Sequence, residues 1–519
     1  MCISLIGEEE WERAVASISS RRRADMIPDV LAVMTGSRGL PPFISDLARL
    51  ESAIARISDT DIPPVIDMLN VNPALEVMQL QWNNLPAFVS GHNDAERPVP
   101  MPVKEIVLVW KSPVDGEVKC RPAANRDLLV LKLVVEGITP KDAAAEGAVT
   151  ISAIDAAIDF SIKEGILLSP PSLLRRDPSI ISATGLFDDS FGATTSFTLQ
   201  WHITQTCDLH CKHCYDRSGR SELDFGKALS ILDELHDFCR KKRVKGRISF
   251  SGGNPLLYPH FDDLYRAAVE HGFDVSILGN PSPRVRIENI VSIQRPNFFQ
   301  VSLEGLQGHN DSIRGPGHFE RTLKFLEVLR ELDIYSMVML TLTKDNIDQV
   351  LLLGEFLQGR ADTFNFNRLS MVGEGAALKL PSRERYAAFL EAYLEAAETN
   401  QVLGVKDNLI NIIYRQKGID PFGGCTGFGC GAAFNFLSLL ADGEVYACRK
   451  FPSPIGNINE QTLVEIYDSE KALRYRAGCD ACKKCPIRPG CGGCLAMSYS
   501  HGLDIFKEKD PYCFFSVPE

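Results

Sequence analysis

The chain lacks the positive charge that binding to a polyanion demands. Its 519 residues carry 55 Lys and Arg against 67 Asp and Glu, a net charge of −12, which argues against nucleic-acid or anionic-membrane partners. It has no apolar run approaching the roughly 18 residues a membrane-spanning helix needs. The opening, Met1-Cys2-Ile3-Ser4-Leu5-Ile6-Gly7-Glu8-Glu9-Glu10, has no basic stretch leading into an apolar one, so no signal peptide is read there and a cytoplasmic protein is expected. A disulfide framework is missing too: the 15 cysteines are an odd number crowded into two places, which does not suit a secreted scaffold.

What is present is ordinary in composition, 45% hydrophobic and 24% charged, and too long for a single core. The informative feature is Thr206-Cys207-Asp208-Leu209-His210-Cys211-Lys212-His213-Cys214-Tyr215. Thiolates at Cys207, Cys211 and Cys214 can hold three irons of a [4Fe–4S] cube and leave the fourth open, whereas a fourth cysteine would close it. An open iron can bind S-adenosylmethionine (SAM) through its amino and carboxylate groups and pass it an electron. Structural zinc is the alternative, although zinc sites usually pair a C-x2-C knuckle with a second pair or with His. The triad resembles the radical SAM superfamily, and the resemblance implies cleavage of SAM to a 5′-deoxyadenosyl radical with the three cysteines as the catalytic centre.

From 195 to 400 the pattern alternates β-rich and amphipathic helical stretches, with strands expected at 195–204, 247–252, 274–279, 298–303, 335–342 and 363–369. Repeated β–α units imply a parallel sheet with right-handed crossovers, and six of them fit the α/β partial (β/α)6 barrel of the radical SAM family. Function in such barrels collects where strand carboxyl ends meet loops, and the triad directly follows the first strand. Ser251-Gly252-Gly253-Asn254-Pro255 resembles the family's GGEP turn, whose backbone meets the SAM amino group. Asn254 replaces the usual Glu, and an ordinary turn is the alternative. Ser302-Leu303-Glu304-Gly305 with Arg314-Gly315 resembles S-x-[DE]-G … R-G, which implies that Ser302 and Arg314 touch SAM with Glu304 near the ribose. The same resemblance puts His213 and Leu369 beside the adenine. His210 is read as a surface or packing residue, and Arg240-Lys241-Lys242-Arg243 as a solvated helix end.

A second cysteine field runs through Cys425, Cys430, Cys448, Cys482, Cys485, Cys491, Cys494 and Cys513, with Cys479 among them. Pro486, Pro489, Gly490, Gly492 and Gly493 supply the turns that let thiolates converge. The pattern resembles the SPASM domain. That resemblance implies two auxiliary [4Fe–4S] clusters, one on Cys425, Cys430, Cys448 and Cys494, the other on Cys482, Cys485, Cys491 and Cys513. Here Cys491-x2-Cys494 is one residue shorter than the usual spacing, and Cys479-x2-Cys482 offers a substitute ligand. A zinc ribbon on Cys482, Cys485, Cys491 and Cys494 is the alternative.

Residues 1–98 read as a mostly helical region, with helices at 8–20, 44–57 and 63–69 and no catalytic signature. Residues 102–170 read as two strands and three short helices. That order resembles the winged-helix-like PqqD recognition element of peptide maturation systems, which adds a leader peptide to a sheet edge; a generic winged helix is the alternative. Residues 171–194 read as a linker, and 401–519 as the SPASM domain. The whole resembles a radical SAM/SPASM maturase of a ribosomally made precursor peptide, of the sactipeptide, ranthipeptide or selenopeptide type, forming a thioether or selenoether and drawing electrons from a flavodoxin or ferredoxin. Sulfatase-maturase-like oxidation ranks lower, because Arg449 stands where that family has an acid. Carbon–carbon cross-linking is a further alternative. A non-catalytic iron–sulfur scaffold is disfavoured by the intact triad with Ser302 and Arg314.

Overall fold

The computed structural model describes residues 1–17, 23–63, 66–90, 98–147, 149, 151–181 and 191–515. They divide into two compact units, Met1–Pro171 and Ser172–Glu519.

In the first unit, β1 (Asn70–Val71) pairs with β5 (Leu167–Leu168). A three-stranded antiparallel sheet has the order β2 (Leu75–Leu80), β3 (Glu105–Lys111), β4 (Val118–Pro122). Both faces of β3 are buried. Val107 and Val109 pack with Ile44, Leu47 and Leu50 of helix Ile44–Ser58, while Leu108 and Trp110 pack with Val130 and Leu131 of helix Asn125–Glu136. Residues before and after 98 therefore share one sheet and form one unit, where the sequence suggested two regions. Strand β2 lies inside the stretch expected to be helical, in register with β3 from Leu75↔Trp110 to Leu80↔Glu105. Pro64 and Val65 of the expected helix 63–69 lie outside the described residues, and the described ones there are not helical. Strands β2 and β4 are the two edges of this sheet.

The second unit is built on six parallel strands: β6 (Ser196–Thr204), β7 (Lys245–Gly252), β8 (Asp274–Leu278), β9 (Phe299–Ser302), β10 (Ser336–Leu342) and β11 (Thr363–Arg368). Alternation sets the faces: Phe197, Leu199, Trp201 and Ile203 of β6 all join the core. A helix follows each strand. The first, Phe225–Lys242, is capped by the Asp224 side chain accepting from Lys227 N at 3.0 Å, closes on Arg240, Lys241 and Lys242, and buries Ala228, Ile231, Leu232, Leu235 and Phe238. The sheet does not stop at six strands. Strand β12 (Phe436–Leu439) pairs parallel to β6, and β13 (Glu444–Tyr446) and β14 (Pro454–Asn457) follow antiparallel, giving a mixed nine-stranded sheet. The C-terminal cysteine region is thus hydrogen-bonded to the first barrel strand.

Part of the stretch expected as a linker belongs to this unit. Leu174 is 1% exposed in the main core, Thr194 N donates to Leu174 O, and Arg176 donates to Cys430 O with its guanidinium over the Phe434 ring. Residues 182–190 of that stretch lie outside the described residues.

Candidate active site

At the carboxyl ends of β6 to β11 the loops enclose a cavity of about 330 Å³. Cys207, Cys211, His213, Cys214, Gly252, Gly253, Ser302, Arg314 and Leu369 all line it. Glu304 does not. It is 1% exposed, with Oε1 accepting from Arg314 Nε and Nη2 at 2.8 and 2.7 Å and Oε2 accepting from Thr341 N at 2.8 Å. Its carboxylate is occupied by Arg314 and the β10 backbone, so it stands behind Arg314. Burial opposes its charge, but His213 and Arg314 overcome that and hold it below the usual carboxylate range. His210 is exposed at the cavity rim.

The thiols sit among donors. Leu209 N and Asn280 Nδ2 approach Cys207 Sγ at 3.5 and 3.6 Å, and Arg314 Nη1 approaches Cys211 Sγ at 3.7 Å. Such donors stabilise thiolate charge and tune a cluster's potential. Burial pushes the Cys211 thiol up, and Arg314 pulls it back. Sequence reasoning missed Asp208 and Asn280: Asp208 Oδ1 accepts from Asn280 at 2.7 Å and from Asn254 at 3.1 Å, tying the triad loop to the loops after β7 and β8. Asn254 in place of Glu is therefore a strut.

Glycine is required at two positions. A Cβ on Gly252, at φ +130°, would lie 2.1 Å from Thr204 O, and one on Gly253 would lie 2.3 Å from Thr206 O. The turn is pressed against the start of the triad loop, leaving its backbone facing the cavity. His213 Nδ1 and Ser370 Oγ, both in residues of the cavity wall, are buried without a hydrogen-bond partner, as expected where a polar ligand is to complete them. An all-thiolate triad, a close backbone turn and orphaned polar atoms fit a cluster with SAM.

A second cavity of about 110 Å³ is lined by Cys425, Cys430, Cys448 and Cys494 together. Burial first, then the neighbouring thiols, push Cys430 up to about 12 and Cys448 up to about 11, and burial raises Cys494 as well, against the pull of Arg368 and Lys450. Cys482, Cys485, Cys491 and Cys513 form the other group. Burial raises Cys491 well above the usual thiol value, and Cys485 and Cys513 add to it. Cys479, 3% exposed, is hydrogen-bonded to Cys482, which lowers Cys479 and raises Cys482. Among the described residues no three His, Cys, Asp or Glu side chains are spaced for a single metal ion.

Three cationic residues that the sequence did not assign to the site also belong to it. Arg368, at the end of β11, lines both cavities and is buried between Asp407 and Asp510. Arg449 and Lys450 also line both.

Residues 201–357 match the radical SAM superfamily, and residues 430–486 match SPASM, an iron-sulfur cluster-binding domain. The chain carries a radical SAM domain followed by a SPASM domain. It is a radical SAM enzyme, and its cofactors are SAM and [4Fe–4S] iron–sulfur clusters. The radical SAM match spans the triad, Gly252, Gly253, Ser302 and Arg314; the SPASM match spans Cys430, Cys448, Cys482 and Cys485. The AdoMet-dependent heme synthase of Methanosarcina barkeri is 27% identical over 349 residues, 61% of this chain and 96% of the relative. Mycofactocin maturase MftC of Mycolicibacterium smegmatis is 26% identical over 343 residues, 62% of this chain and 83% of the relative. Streptococcus suis SuiB bound to precursor peptide SuiA shares the fold at a TM-score of 0.51 and 17% identity, covering 79% of this chain and 97% of SuiB. No helix among the described residues is long and apolar enough to cross a membrane.

Proposed function

We propose that this radical SAM enzyme modifies a ribosomally synthesised precursor peptide, closing a thioether or selenoether between a cysteine or selenocysteine and a carbon of the same peptide. The observation that carries the reading is the shared wall: Asn367, Arg368, Arg449 and Lys450 line both the triad cavity and the cavity of Cys425, Cys430, Cys448 and Cys494. A residue held over SAM is thereby next to a cysteine-lined pocket that could take a substrate sulfur or selenium. The triad is assigned to the SAM-binding cluster, and the remaining eight cysteines to two auxiliary clusters in the sets given above.

Bound SAM and cluster supply one electron and a 5′-deoxyadenosyl radical that takes a hydrogen atom from a substrate C–H bond. The chain's own residues orient and enclose. Gly252 and Gly253 let the backbone approach SAM, Ser302 and Arg314 fix it, and His213 and Leu369 flank its adenine. Closure of the carbon radical on the substrate thiolate releases one electron, accepted at the SPASM domain, so the peptide loses two hydrogens in total. A flavodoxin- or ferredoxin-like protein supplies the starting electron. The free edges β2 and β4 of the first unit are the candidate dock for a leader peptide.

The heme synthase match favours a second reading, SAM-dependent synthesis of a heme-like, non-peptide product. That relative is matched over 96% of its length yet leaves much of this chain without a counterpart, whereas the SuiB likeness covers more of the chain than Ser172–Glu519 alone could supply. This supports the peptide reading. Co-expression with any short cysteine-containing peptide encoded beside the enzyme tests it: a loss of two hydrogens that survives thiol reduction is expected, and unchanged mass in every such peptide would overturn it.

A further inference from the structure

Six cationic side chains line the cavity over the triad: Arg217, Arg220, Arg314, Arg368, Arg449 and Lys450. Four are committed. Arg220 pairs with Asp216, Asp442 and Glu444, Arg314 with Glu304, Arg368 with Asp407 and Asp510, and Arg217 lies against the Cys214 sulfur, which raises its pKa. Arg449 has no hydrogen bond or ion pair among the described residues. Lys450 donates to the Asn367 amide oxygen at 3.0 Å and has no carboxylate partner, although its charge also reaches the Cys448 and Cys494 thiols. Among the described residues Asp216 is the only acidic one on the wall, and Arg220 and Ser218 hold it. Among the described residues the cavity thus faces its contents with one free guanidinium and one ammonium that has no carboxylate partner.

Arg449 lies within the site. Its charge reaches both His202 and Tyr215, buried side chains of the cavity wall hydrogen-bonded to each other at 3.5 Å. A planar guanidinium with unused donors matches a carboxylate in two-pronged geometry, and a nearby ammonium adds a point charge.

We propose that Arg449 and Lys450 form a carboxylate-binding subsite on the wall shared by the two cavities, which takes an acidic side chain or the free C-terminus of the substrate close to the reacting carbon. The proposal rests on the reading that the substrate enters this cavity and adds a substrate class: a peptide acidic next to its modified residue. SAM also carries a carboxylate, and the auxiliary thiolates are charged, so the test must separate these from the substrate.

The anaerobically cluster-loaded enzyme is treated with phenylglyoxal, and the fraction of Arg449 modified is read by peptide mass mapping. Three probes are added in turn: N-acetylglutamic acid α-amide, N-acetylglutamine with a free α-carboxylate, and N-acetylglutamine amide, each with SAM present. The expected result is that one or both acids slow labelling by about tenfold, the worth of one charge-assisted hydrogen bond, while the neutral amide does nothing. The better protector tells side-chain acid from C-terminus. Equal labelling with all three overturns the proposal. So does protection by SAM alone, which would give Arg449 to the cofactor, and so does absence of labelling without any probe, which would make it a counter-ion of the cluster. In Arg449→Lys, the Michaelis constant for the encoded peptide should rise with iron content unchanged; an unchanged constant counts against the subsite. The labelling requires no turnover, so a failed peptide reaction leaves it readable.

Discussion

Arg368 donates both terminal nitrogens to the carboxylate of Asp510, at 2.9 and 2.8 Å, in the closing segment that leads to Cys513. Its Nε bonds Asp407 at 3.0 Å, and the next residue, Asn408, accepts from Cys425 N. One buried cation therefore fixes the end of β11, the approach to Cys425 and the approach to Cys513. Asp407 remains as counter-charge when Asp510 is neutralised, so the loss is that of the two-pronged charge-assisted hydrogen bonds, about 1.5–3 kcal/mol. Asp510→Asn should lower the anaerobic unfolding midpoint accordingly and reduce iron bound per chain. Wild-type stability and iron content in that variant would contradict the link.

The turn after β7 predicts a contrast between two glycines. Gly253→Ala pushes a methyl into Thr206 O and Gln205 O, distances of 2.3 and 2.6 Å to the ideal Cβ, and should displace the triad loop. Gly308, in helix Gln307–Arg314, meets nothing within 4 Å, and Gly308→Ala should stabilise by about 0.5–1 kcal/mol. Iron content and SAM binding by equilibrium dialysis check this: both should fall in the first variant and hold in the second.

The two cysteine groups should separate by function. Cys207→Ala is expected to abolish 5′-deoxyadenosine formation, whereas Cys494→Ala should keep part of it and lose peptide product. Chromatography of both products from reduced enzyme decides this; equal cleavage by wild type and Cys207→Ala would refute the triad assignment.

His202 predicts an acid sensitivity. Burial, and then the charge of Arg449, lower its pKa to about 3, against roughly 6.5 in an unfolded chain. As pH falls below the higher value the unfolded state takes the proton first. Stability from the neutral ring is then lost by up to about 1.4 kcal/mol per pH unit. His202→Gln should lose less stability between pH 7.5 and 5.5 in urea unfolding; an identical loss would show that another group carries the effect.

Much of this was legible beforehand. The six parallel strands follow from local alternation such as Phe197-x-Leu199-x-Trp201-x-Ile203, and the triad, the Gly252–Gly253 turn, Ser302 and Arg314 are contiguous motifs. What escaped reading depends on distant pairing. Strand β12 is four residues long and acquires its place only through the register Phe436↔Thr198. Strand β2 resembles helix until it meets β3. The states of Arg368 and Arg449 are set by whether partners far along the chain reach them: Asp510 reaches the first, and no acid among the described residues reaches the second. Glu304 was read toward the ribose because spacing cannot show that Arg314 and Thr341 N consume both its oxygens.

The most direct test of the account is the fate of a substrate hydrogen. The encoded peptide is prepared with deuterium on its side-chain and α carbons and incubated with reduced enzyme and SAM, and the 5′-deoxyadenosine is analysed by mass spectrometry. Deuterium in the nucleoside, matched to a peptide that has lost one deuterium from carbon and one hydrogen from sulfur, is the predicted result. Nucleoside without deuterium, or with peptide of unchanged mass, would contradict it.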